Sequence, residues 1–256
     1  MKKYFYNYQT ITRFDIPVIK HFFLLRCMPC VNACQQGSHK ELFLHPSDSV
    51  IYGADSWGNP IQYGHKLDSH DSFTFVSSGE ARILPYCIPN EKNTDMFKVA
   101  SPLTEPSEAI KEFARIHKKG KNDVDTALNY ANELYSYLCY MPGSTHTRTT
   151  AKEAFDLKQG VCQDYAHILL ALCREARLTA RYANGFLVGI GMTHAWIEVL
   201  DDGKWYGIDP TNNKFIEYGY IKIAHGRDAD DCPVNRGIFT GAATQQTEIR
   251  VIVEEI

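Results

Sequence analysis

The sequence predicts a two-part chain: an antiparallel, sandwich-like β domain over residues 1–100 and a mixed helix-and-strand domain over residues 101–256. Three observations predict it. Short apolar runs separated by turn residues fill the first hundred positions. Helical periodicity sets in after Pro102. An alternating hairpin pattern then follows a strongly apolar helix in the second part.

In the first part, β-favouring runs occur at Phe22–Leu25, Leu42–Leu44, Val50–Tyr52, Ile61–Tyr63, Phe73–Val76 and Ala81–Leu84. Turn clusters such as Ser56-Trp57-Gly58-Asn59-Pro60 and Ser77-Ser78-Gly79-Glu80 lie between them. Strands spaced about ten residues apart are the pattern of a sandwich-like sheet.

In the second part, Thr104-Glu105-Pro106 supplies a cap and an early proline for a helix over Ser107–Lys118, which Gly120 stops. A second helix is expected over Asp123–Cys139, with Ala127, Leu128, Ala131, Leu134 and Leu138 on one face. Thr150-Ala151-Lys152-Glu153 is a capping box for a third, which ends before Gly160.

Apolar residues make up 44% and charged residues 22% of the chain, enough to build a core. A net charge of −3 with no basic run gives no reason to expect a nucleic-acid partner or attraction to an anionic membrane. No run of about 18 apolar residues suggests a membrane-spanning helix, and the first ten residues lack an apolar signal core. A cytoplasmic protein is expected, and its eight cysteines are therefore read as reduced thiols. Cys27-Met28-Pro29-Cys30 with Cys34 has the outline of a metal or redox motif, but only His39 lies close enough in sequence to complete a tetrahedral site. These are read as small turn or buried cysteines, and no cofactor is expected.

Gly160-Val161-Cys162-Gln163-Asp164-Tyr165-Ala166 opens the strongest helical pattern in the chain, apolar on all but a narrow face. Cys162 falls in the first turn, where free N–H groups and the helix dipole favour a thiolate and its own N–H can face a developing oxyanion. Cys173, Cys87 and Cys139 fit packing roles instead.

Thr193-His194-Ala195-Trp196-Ile197-Glu198-Val199 alternates strictly and turns at Leu200-Asp201-Asp202-Gly203 into Lys204–Asp209. With Asp201 and Asp202 as the loop, His194 stands opposite Asp209; with a three-residue loop the register slips by one. A carboxylate so placed can fix the imidazole tautomer and stabilise an imidazolium. His21, His117, His167 and His225 are poorer candidates; His167 lies about 140° around the helix from Cys162.

These segments, with Trp205-Tyr206-Gly207-Ile208-Asp209-Pro210-Thr211 and Gly226-Arg227-Asp228-Ala229-Asp230-Asp231, resemble bacterial transglutaminase-like proteins, whose members are often labelled cysteine proteases. Asp55-Ser56-Trp57-Gly58-Asn59 resembles their leading domain, so the similarity covers nearly the whole chain. The resemblance implies an α+β fold with a papain-like, transglutaminase-like core and a Cys162, His194, Asp209 triad. It also implies a second oxyanion donor, for which Tyr140 is a candidate by position and Gln163 a weaker one.

The expected chemistry is acyl transfer from a protein or peptide substrate through an acyl-enzyme, with water as acceptor in a peptidase or amidase. A lysine amine as acceptor would make the same triad a protein-glutamine transglutaminase. A non-catalytic interaction module is the reading from another class.

Overall fold

The computed structural model of the chain describes residues 1–89, 91 and 93–256. Its elements begin with five strands, β1 (Lys2–Leu25), β2 (Gln35–His45), β3 (Ser49–Ala54), β4 (Pro60–Lys66) and β5 (His70–Ile83). The middle holds β6 (Cys87–Pro89), α1 (Glu108–His117), α2 (Asp123–Tyr137), β7 (Cys139–Tyr140), α3 (Ala151–Leu157), β8 (Gln159–Gly160) and α4 (Cys162–Glu175). Eight strands close the chain: β9 (Ala180–Leu187), β10 (Gly189–Gly191), β11 (His194–Asp201), β12 (Lys204–Asp209), β13 (Lys214–Phe215), β14 (Tyr220–Gly226), β15 (Asn235–Thr240) and β16 (Gln245–Glu255).

β1 organises an eight-stranded antiparallel sheet. Along its first half, Tyr4, Tyr6, Tyr8, Thr10 and Thr12 alternate inward and are buried, as aromatic and β-branched residues on a half-buried strand should be. That half pairs with β5 on one side and β16 on the other; the second half pairs with β4 and β15. The register shift between Arg13 and Val18 marks the change. Strands from both ends of the chain thus share one sheet, in which the segments 1–100 and 101–256 meet.

Two details differ from the sequence expectation. Ser77-Ser78-Gly79-Glu80 is not a turn but the middle of β5, where pairing to both β1 and β2 holds it extended. The cap of α1 is Ser107, whose hydroxyl accepts from the Ile110 N–H at 3.3 Å, whereas Thr104 bonds the Ser101 N–H at 3.0 Å. The capping box of α3 forms in full: Thr150 Oγ1 accepts from Glu153 N–H, and Glu153 Oε2 accepts from Thr150 N–H at 2.8 Å.

The second sheet runs β13-β12-β11-β9-β14, with β6 also on β12. Both faces of β11 are covered. Ala195, Ile197 and Val199 join Ile168, Leu169 and other residues of α4 in a core that α1, α2 and α3 complete. On the opposite face, Trp196 packs with Trp205, Tyr220, Tyr86 and Phe97. Phe186, Ile221 and Ile223 of this sheet reach into the core of the larger one, where Phe186 stacks on Tyr6 with ring centres 5.7 Å apart. α4, buried from Asp164 to Arg174, is the central helix, as its nearly all-round apolar sequence requires. Among the described residues, no helix is long and apolar enough to cross a membrane.

Candidate active site

Cys162 is the first residue of α4 and is half-buried. The turn before it is tight: a Cβ on Gly160 would come within 2.6 Å of the Asp164 side chain. Asp164 Oδ2 accepts from Val161 N–H and from the Thr145 hydroxyl, both at 2.7 Å, which ties the helix start to the preceding loop. The N–H groups of Asp164 and Tyr165 bond back to Val161 O, leaving those of Cys162 and Gln163 unused by these first-turn bonds.

The hairpin β11–β12 turns at Asp202-Gly203, both with positive φ (46° and 71°), the geometry of a two-residue type I′ loop. The expected loop at Asp201-Asp202 is corrected accordingly. Ile197 pairs with Ile208 and Asp201 with Lys204, so the residue across from Asp209 is Trp196 rather than His194. A displacement of two preserves the pleat's parity, and His194 stays on the face of Asp209 as its diagonal neighbour. Their side chains meet: His194 Nε2 is 2.7 Å from Asp209 Oδ2.

Asp209 is fully buried and held from several sides. Thr211 and Asn212 donate backbone N–H bonds to Oδ1 at 2.9 and 3.2 Å, while Asn212 Nδ2 and the Tyr220 hydroxyl donate to Oδ2, both at 2.7 Å. Burial alone would raise its pKa. The His194 bond and charge, with the Tyr220 and Asn212 bonds, reverse that and hold the carboxyl below its ordinary range.

His194 and Cys162 line the same cleft, the imidazole facing the start of α4. Because Nε2 is engaged by Asp209, Nδ1 is the nitrogen left for sulfur. Burial disfavours the imidazolium, but the hydrogen bond to Asp209 and the carboxylate charge, with the Cys162 side chain close by, outweigh it, raising His194 to about 10. The ring is walled by Tyr220, with centres 6.1 Å apart, and Tyr220 packs edge-on to Trp196 at 5.4 Å.

Cys162, His194 and Gln163 line one cleft of about 590 Å³ whose far wall comes from β1 and β16, including Tyr8, Thr247 and Ile249. Gln163 is tethered there, its Nε2 donating to Thr147 O at 3.1 Å. Tyr140 lies beside Gly160 in the β7–β8 ladder and is half exposed; burial and the Cys162 charge raise its hydroxyl pKa. It is not among the residues lining the cleft.

Of the remaining cysteines among the described residues, Cys232 also lines the cleft and the others sit elsewhere. Cys27, Cys30 and Cys34 donate to three separate acceptors, Gln62 Oε1, Ile223 O and Cys87 O. The side chain of His39 lies outside the described residues. Among the described residues, no group of three or more His, Cys, Asp or Glu is placed to hold a metal ion. Burial pushes the thiol pKa values of Cys27, Cys30, Cys173 and Cys232 upward.

Sequence reasoning missed the cradle of Asp209. Thr211 and Asn212 had a local signal, since an Asp whose carboxylate accepts from backbone N–H groups two or three residues later makes an Asx-type turn. Tyr220, on another strand, had none.

Residues 111–210 match the family model described as the transglutaminase-like superfamily, a span that contains Cys162, His194 and Asp209. The chain carries a transglutaminase-like domain. An uncharacterized protein of Mycobacterium tuberculosis H37Rv is 29% identical to it, over 78% of this chain and 75% of that protein. One of Mycobacterium leprae is 35% identical over 56% of this chain and 53% of its own length. Among solved structures, a “putative cysteine protease” of Cytophaga hutchinsonii superposes with a TM-score of 0.84 at 22% identity, covering 100% of this chain and 91% of that one. The two structures therefore share a fold over the whole of this chain, including the N-terminal sheet, whereas the transglutaminase-like family model is matched by residues 111–210.

Proposed function

We propose that the chain is a thiol acyl-transfer enzyme, a cysteine peptidase or amidase acting on protein or peptide substrates through Cys162, His194 and Asp209. The observation that carries this reading is a single imidazole bonded to a buried carboxylate and sharing one cleft with a thiol at a helix N-terminus.

In the reaction, the Cys162 thiolate attacks the amide carbonyl carbon, and the carbonyl π electrons move onto oxygen. First-turn N–H groups of α4, that of Cys162 foremost, face the developing oxyanion. Collapse of the tetrahedral adduct breaks the C–N bond as the imidazolium of His194 gives its proton to the leaving amine. Water then enters, His194 takes one of its protons, and the acyl–sulfur bond breaks to release the acid. Asp209 keeps the ring oriented and its charged form favoured throughout, as its four other hydrogen bonds keep it ionised.

Acylation by p-nitrophenyl acetate tests this directly, because the acyl-enzyme is visible by mass spectrometry. Acetyl transfer to Cys162, lost in Cys162→Ala and strongly slowed in His194→Ala, is the expected result. Acetylation spread over several cysteines and unaffected by His194→Ala would contradict it. Adding cadaverine to the acetylated enzyme distinguishes acceptors: hydrolysis should prevail over amine capture.

A further inference from the structure

Beside His194, the charged side chains lining the cleft among the described residues are Arg148, Asp230 and Arg236. Arg148 comes from the loop before α3, and Arg236 from β15 in the large sheet. Asp230 stands between them: Arg148 Nη1 is 2.5 Å from its Oδ2 and Arg236 Nη2 is 3.6 Å from its Oδ1. Its own N–H is fixed by Asp228 Oδ1 at 2.9 Å. One carboxylate shared by two guanidinium groups leaves a surplus positive charge, in a chain whose net charge is −3. Both arginine side chains remain more than half exposed, at 67% and 57%, so each keeps N–H donors free for a further partner.

We infer that this pair is an anion subsite of the cleft, which takes a carboxylate carried by the substrate near the acyl group attacked by Cys162. The inference rests on Cys162 being the nucleophile. Arginine suits the task because its planar fork meets a carboxylate bidentately and stays charged at every working pH. Asp230 holds the two forks together across the cleft without neutralising both. The carboxylate could be the α-carboxylate of a peptide C-terminus or the side chain of an Asp or Glu next to the scissile bond. Either source presents the same chemistry to the arginines.

The test compares alkylation of Cys162 by iodoacetate and by iodoacetamide, mapped by mass spectrometry at low ionic strength. The two reagents share electrophilic carbon and leaving group and differ in charge. The His194 imidazolium itself attracts the anion, so the change in the rate ratio between variants is what decides. In Arg148→Gln/Arg236→Gln the iodoacetate-to-iodoacetamide ratio should fall about threefold or more, the scale of a unit charge acting over roughly 10 Å of partly screened medium. In Asp230→Asn, which frees both arginines, the ratio should rise. A ratio unchanged in both variants overturns the inference. The absolute rate reports separately on the nucleophile: slow labelling by both reagents in the wild type counts against the function, whatever the ratio does. Protection of Cys162 from iodoacetamide then separates the sources. Trialanine with a free C-terminus protects if the α-carboxylate is recognised, and a C-terminally amidated, N-acetylated peptide containing Glu protects if a side chain is. N-acetyl-trialanine amide, which carries no carboxylate, is the control, and protection by it equal to that by the carboxylate-bearing peptides overturns the inference.

Discussion

His194 Nε2 and Asp209 Oδ2 lie 2.7 Å apart although the two residues are not partners in the β11–β12 ladder. The hairpin places Trp196 across from Asp209, and the histidine reaches the carboxylate diagonally on the same face. Burial of the pair under Tyr220 and Trp196 then makes each member dependent on the other's charge.

Asp209→Asn keeps the volume and removes the charge. With it goes much of what raises His194 to about 10, so the imidazolium gives up its proton at lower pH. Alkylation of Cys162 at about pH 6 should slow at least about tenfold, the effect of a one-unit change in pKa. A pH profile of the labelling rate checks this, and an unchanged profile would show that Asp209 does not support the pair.

Tyr220→Phe removes one donor to Asp209 Oδ2 while keeping the ring that walls His194. Burial and the Asp209 charge push the Tyr220 hydroxyl well above its ordinary pKa, so it remains a donor throughout the working range. The loss should cost about 1.5–3 kcal/mol in urea unfolding, the usual value for a bond to a charged acceptor. The labelling profile should move in the same direction as in Asp209→Asn, by less. A stability loss with no movement of the profile would make Tyr220 purely structural.

Gly160→Ala inserts a methyl group against Asp164, whose Oδ2 pins both Val161 and Thr145. The expected cost is about 1–3 kcal/mol, with slower Cys162 labelling as the first turn of α4 shifts. Thermal unfolding and labelling on one sample check both. Wild-type labelling in a destabilised variant would uncouple the Asp164 cap from the thiol.

Glu198 is fully buried between Arg181 and Lys222, with Nε and Nζ at 2.5 and 3.0 Å and the Tyr86 hydroxyl also bonded to it. Burial opposes ionisation, but the two cations outweigh it and hold the carboxyl at about 2. A depressed folded-state pKa stabilises above the unfolded value, near 4.3, and that contribution is lost as pH falls toward 2. Wild-type melting temperature should therefore drop between about pH 4.5 and 2 more steeply than that of Glu198→Gln. At pH 7 the variant should be about 3–5 kcal/mol less stable, because it leaves buried cations underpaired. Parallel acid slopes would contradict the coupling.

Much of this was legible in the sequence for local reasons. A capping box, a glycine before a cysteine, and alternation through Val199 are each written within seven residues, and α3, α4 and β11 follow from them. The turn lies one position later than its sequence suggests: Gly203 with Asp202, not Asp201 with Asp202, provides the two positive φ angles. Side-chain parity protected the His194–Asp209 relation from that error, since the register moved by two. What depends on distant chain was not legible. Tyr220 reaches Asp209 from β14, Asp230 gathers Arg148 and Arg236 from two walls, and β16 returns from the C-terminus to pair with β1. The early alternation Tyr6, Tyr8, Thr10, Thr12 carries the period of a strand, but Tyr4-Phe5-Tyr6 breaks the apolar–polar alternation at its start.

The most direct measurement is iodoacetamide labelling at about pH 6, mapped over all eight cysteines, in wild type and in His194→Ala. An ordinary thiol titrates near 8.5 and labels slowly there. A thiol paired with His194 should label fast and alone, at Cys162, and lose that advantage when the imidazole is removed. Uniformly slow labelling of folded wild-type protein, or fast labelling of Cys162 that survives His194→Ala, would contradict the thiolate–imidazolium pair.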